Sequence, residues 1–68
     1  MTGRTAILQL RLVTAVLERE RLRGHQPEGL RERAAFLIDQ AAAVLDGSTD
    51  GHDALGRARR ELALIPGS

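Results

Sequence analysis

Apolar residues recur along this chain at steps of three and four, in three stretches set apart by glycine and proline. The central stretch, Ala34 to Leu45, reads AAFLIDQAAAVL, with only Asp39 and Gln40 polar inside it. It has no Gly or Pro and few β-branched residues, so its intrinsic preference is helical. Leu30, Ala34, Leu37, Ala41 and Val44, flanked by Ile38 and Leu45, fall on one wide face of such a helix. The spacing predicts a helix over 27–46. Pro27 suits its first position, Glu28 and Glu32 sit near the positive end of its dipole, and Gly47 stops it.

The first stretch predicts a helix over 4–23. Ala6, Leu10, Val13 and Leu17 make one stripe, and Leu8, Leu12 and Val16 a second beside it. Two stripes predict two neighbours, with Arg11, Thr14 and Glu18 on the solvated side. Gly24 is placed to end the helix in the left-handed conformation. A third helix is expected over 52–65, with Asp50 as N-cap and Asp53 three residues on. Leu55, Ala58, Leu62 and Ile65 form its stripe, and Pro66 with Gly67 ends it. The fold class is therefore all-α: a single small three-helix bundle, an antiparallel hairpin plus a shorter third helix, assembling into an oligomer.

The first stretch also carries a competing pattern. Leu8, Leu10 and Leu12 alternate with Gln9 and Arg11, the period of a half-buried strand. With residues 7–12 as a strand and Thr14 capping the helix after it, the order strand, helix, helix matches the ribbon-helix-helix architecture. There two chains pair strands and read DNA in the major groove. Gln9 and Arg11 would be the readers, because amide and guanidinium groups bond A and G bidentately. The helix-favouring Leu, Ala, Gln, Arg and Glu content speaks for the helix instead.

Size sharpens the expectation of assembly. A chain of 68 residues buries a modest share of its surface, and such domains usually need a disulfide, a metal or a partner chain. There is no cysteine, which excludes disulfides and thiolate zinc sites, and the two histidines are far apart in sequence. Ten basic residues, all Arg, face nine acidic ones for a net +1, which suits neither a nucleic-acid sponge nor an acidic mimic. The Arg, Ala, Leu and Gly usage suggests a GC-rich, bacterial genome. One Phe and no Tyr or Trp leave no stacking platform for bases. Arg4 before AILQLRLVTAVL resembles the start of a signal peptide, but Gln9 and Arg11 interrupt the run and no small-residue cleavage site follows. A cytoplasmic protein without a membrane span is expected.

Candidate chemistry is sparse. Asp46, Ser48, Asp50 and Gly51 open like a calcium loop, but its twelfth position, where a bidentate Glu belongs, is Arg57. Asp50, His52 and Asp53 lack a nucleophile and a pocket. Arg57 has Glu61 one turn away as a partner, and Arg19, Arg21 and Arg23 alternate with Glu18 and Glu20 as on a solvated face. No catalytic, cofactor or metal residue is expected, and no small-molecule substrate. Phe36 is the informative residue: its neighbours at helical spacing are Glu32, Arg33, Asp39 and Gln40, so it lies off the apolar stripe. Aromatics are enriched at interface centres, and Ala35, Ala42 and Ala43 keep the same back surface small. The expected interface residues are Phe36, Ala43, Leu8, Leu12 and Val16. The expected function is a non-enzymatic helical protein–protein interaction module, pairing with itself or docked on a larger protein. The alternative is the DNA-binding regulator, with Gln9 and Arg11.

Overall fold

In a computed structural model, which describes residues 2–45 and 49–65, three helices run α1 (Gly3–Arg23), α2 (Leu30–Val44) and α3 (Thr49–Leu64). No strand occurs among the described residues. The three-helix, all-α expectation holds. The strand expected over residues 7–12 does not, because α1 passes through it unbroken. Thr14, the helix cap on that reading, sits mid-helix and donates its hydroxyl to the Leu10 carbonyl at 2.7 Å.

The ends of α1 follow from local chemistry. Thr2 is the N-cap, its backbone extended and its Oγ1 accepting from the Thr5 N–H at 3.2 Å. Gly24 closes the helix at φ 67°, and the N–H groups of Gly24 and His25 satisfy the carbonyls of Arg21 and Glu20. Helix α2 starts later than expected. Pro27 lies in the preceding turn, and Gly29, at φ 79°, leads into Leu30. Gly29 offers no capping side chain. Arg33 folds back over this end, its Nε and a terminal nitrogen donating to the Gly29 and Glu28 carbonyls at 3.3 Å each. Helix α3 starts earlier than expected, at Thr49. Asp50 is therefore inside its first turn rather than at its cap. At 16 residues α3 is no shorter than the 15-residue α2. The stops read at Gly47, Pro66 and Gly67, and the calcium-loop candidates Asp46 and Ser48, lie outside the described residues.

Helix α2 runs antiparallel to α1, and α3 returns parallel to it, as the meeting of Arg21 with Glu61 near one end of both shows. The core is Leu10, Leu17, Ile38, Val13 and Ile65 among buried Ala6, Ala34, Ala41, Ala54 and Ala58. Half of those side chains are methyl groups, so the helices pack closely. On α1 the buried stripe is the expected one. On α2 the centre shifts to Ile38, 1% exposed, while Leu37 is half-buried at the edge. On α3 it rotates to Gly51, Ala54, Ala58 and Glu61, and Leu55 and Leu62 flank it. Small residues let α3 approach α1 more closely than a leucine stripe would.

Candidate interaction surface

The two outer helices of the hairpin leave apolar side chains uncovered on the side turned away from α3. Leu8, Leu12 and Phe36 are 58%, 65% and 62% exposed. On the second stripe of α1, Leu8 and Leu12 are not covered by a neighbour within the chain, and Val16 is half-buried. Between α1 and α2 runs a shallow groove of about 250 Å³, lined by Leu12, Val16, Leu30 and Leu37 over buried Val13, Leu17 and Ala34. Arg33 forms its rim. Beside it, a second hollow is formed by Glu32, Arg33, Phe36 and Leu37. The two share Arg33 and Leu37, so Phe36 is continuous with the Leu12–Val16 surface. Phe36, Leu8, Leu12 and Val16, scattered over two stretches of sequence, lie on one side of the hairpin. Ala43 is exposed one heptad beyond Phe36, whereas Ala35 and Ala42 are half-buried and do not belong to an open back surface.

At the other side a polar cluster closes the end of the bundle. Glu61, on the buried stripe of α3, accepts two hydrogen bonds from Arg21, from Nε at 3.2 Å and a terminal nitrogen at 2.9 Å. The pairing of Arg57 with Glu61 is thus replaced by a contact between helices, because Glu61 faces α1. The same carboxylate raises the pKa of the Arg21 guanidinium. Glu20 is also buried, not on a solvated face. It accepts from His25 Nδ1 at 2.6 Å and has Arg19 Nε at 3.4 Å. These contacts escaped the sequence pattern because charged residues were assigned to solvent by type. The available signal was phase: Glu61 continues the three-and-four spacing of Gly51, Ala54 and Ala58, and Glu20 that of Val13 and Leu17.

The hydrogen bond from His25 lowers the pKa of Glu20 below its ordinary 4.5, against the opposing effect of burial. A depressed folded-state value gives stability that is present above 4.5 and is lost as pH falls through the folded value. Thermal melts should therefore drop in midpoint on acidification below that point. Glu20→Gln should flatten the profile there, and an unchanged acid limb in that variant would contradict the assignment.

Other sequence candidates are placed differently. Asp50 and Asp53 line a groove of about 310 Å³ between α1 and α3 with Arg11, Thr14, Glu18 and Arg57. His52 is exposed and does not join them, so the acid–base trio is not assembled. Asp50 and Gly51 are helical, which removes the backbone a calcium loop needs, and no metal-holding cluster exists among the described residues. Gln9 and Arg11 stand on a helix, about 160° apart around its axis, so they cannot read one DNA groove from a paired strand. No described helix is long and apolar enough to cross a membrane. The class these observations define is a small all-α three-helix bundle with an uncovered apolar face on its hairpin. Comparison with protein-family models, curated proteins and solved structures yields no match.

Proposed function

We propose that this chain is a non-enzymatic protein–protein interaction module, a small regulator, adaptor or accessory subunit that works through the α1/α2 face. One observation carries the reading: exposed Leu12 and Phe36, the chain's single aromatic, border two adjoining hollows on the α1/α2 hairpin, with exposed Leu8 one turn from Leu12, while exposed Leu22 and Leu64 lie elsewhere. Scattered exposed leucines are ordinary, but a contiguous apolar surface is costly in water unless a partner covers it. Large aromatic side chains at such a surface are the usual anchors. The DNA-binding alternative lacks its reading strand, because residues 7–12 are helical. A cytoplasmic setting fits a cysteine-free chain.

Phe36→Ser separates a partner-facing anchor from a piece of the fold. Measured in dilute solution, its thermal midpoint should match the wild type, because Phe36 is largely exposed within its own chain. At high concentration, or with its partner, association should weaken while the helical signal persists. A lower midpoint in dilute solution would mean the side chain supports the bundle itself, and the interaction reading would fall.

A further inference from the structure

We propose that the occupant of this face is a second copy of the chain, paired about a two-fold axis parallel to the helices, so that α1 of each copy packs on α2 of the other; this rests on the interaction reading above and specifies its partner. The argument is the distribution of charge. Around Leu8, Leu12 and Val16 the exposed charges of α1 are basic: at about 100° per residue, Arg4, Arg19 and Arg23 border that stripe and Glu18 lies beyond it. The outer edge of α2 beyond Phe36 is acidic, with Glu32 and Asp39 exposed there. Two hairpins placed face to face about a two-fold axis have two ways to pair. An axis across the helices sets α1 on α1 and brings one arginine row against another. An axis along the helices sets α1 on α2 and brings the arginine row over the acidic edge. Like charges in contact oppose association, and opposite charges fix register.

The level of the side chains agrees with the second arrangement. The groove between α1 and α2 is lined by Leu12 to Leu17 on one helix and Leu30 to Leu37 on the other. With the helices antiparallel, Leu12 is level with the turn holding Phe36 and Leu37. A two-fold axis along the helices preserves that level. Phe36 of one copy then packs against Leu12 of the other. Arg19 lies within about one helical turn, roughly 5 Å, of the level of the other copy's Glu32. Arg33 does not oppose this pairing, because its guanidinium is folded back on the Glu28 and Gly29 carbonyls. The product is a four-helix interface with each α1 antiparallel to its neighbours, the arrangement in which short hairpins bury their remaining apolar stripe.

Sedimentation equilibrium across micromolar to millimolar concentration, with helical content followed by circular dichroism, tests this. The wild type should reach the mass of a dimer. Leu12→Glu should be a helical monomer. Arg19→Glu and Glu32→Arg should each weaken dimerisation about tenfold, since each places like charges together twice across the two-fold, and the double variant should recover to within about threefold of the wild type. A wild type that stays monomeric throughout overturns the self-pairing, while the dilute Phe36→Ser melt still judges the interaction reading. A dimer lost in Leu12→Glu but not restored by the double reversal overturns the two-fold geometry and leaves the face in place. A dimer indifferent to both Leu12→Glu and Phe36→Ser overturns the face and the pairing together.

Discussion

Leu17→Ala is expected to destabilise the protein by about 2–5 kcal/mol, the range for removing a leucine from a packed core. Leu17 is fully buried on the α1 stripe and belongs to the core cluster drawn from all three helices. Beside it Leu12, Val13, Val16, Leu30, Ala34 and Leu37 line the α1/α2 groove, and the loss within that range is set by how far these side chains relax into the cavity. For a chain of 68 residues, total stability is roughly 3–10 kcal/mol, so the substitution consumes a large part of it. Leu22→Ala is the matched control, five residues on and 70% exposed, and should change stability by less than about 0.5 kcal/mol. Urea unfolding of both variants decides the matter. Equal losses would show that the buried stripe of α1 is wrongly placed.

The second large effect comes from adding atoms rather than removing them. Ala58 is fully buried on the stripe of α3 that faces α1. Its methyl group sets how closely those helices approach, and a leucine there has no space without pushing α3 outward. Ala58→Leu should therefore destabilise by about 1–3 kcal/mol, as overpacked cores do. In a domain this small each kcal/mol lowers the melting midpoint by about 4–8 °C. Ala63→Leu, on the exposed side of the same helix, should leave the midpoint nearly unchanged. A midpoint raised by Ala58→Leu would mean that a void lies between α1 and α3. Displacement of α3 would also strain the Arg21–Glu61 contact, because the planar guanidinium meets both carboxylate oxygens only over a narrow range of separation.

These effects show why the pattern of the chain reached the helices but not every face of them. The extent of helix α1 was legible, since Ala6, Leu10, Val13 and Leu17 recur at helical spacing and its stop is a glycine at positive φ. The off-stripe position of Phe36 was legible as well, because it depends only on the angle per residue and on its polar neighbours. Helix α3 was harder. Its leucines drew the expected stripe toward Leu55 and Leu62, whereas the side turned inward is the one with the smallest residues.

What the sequence determined alone is local: three helical stretches from periodicity, the end of α1 at Gly24, and an apolar surplus that one small bundle does not cover. Each follows from backbone preference and spacing within a few turns, quantities that do not depend on the rest of the chain. The tertiary structure decided which of two apolar stripes on α1 went inward, how far α3 rotated, and that Glu61 and Glu20 are enclosed with Arg21 and His25 as partners. Helix packing is a compromise between burying large side chains and bringing backbones close through small ones. That balance is struck between helices, so it cannot be read from any one of them. The groove joining Leu12 to Phe36 arises for the same reason: residues more than twenty positions apart share a surface only once α1 and α2 are placed side by side.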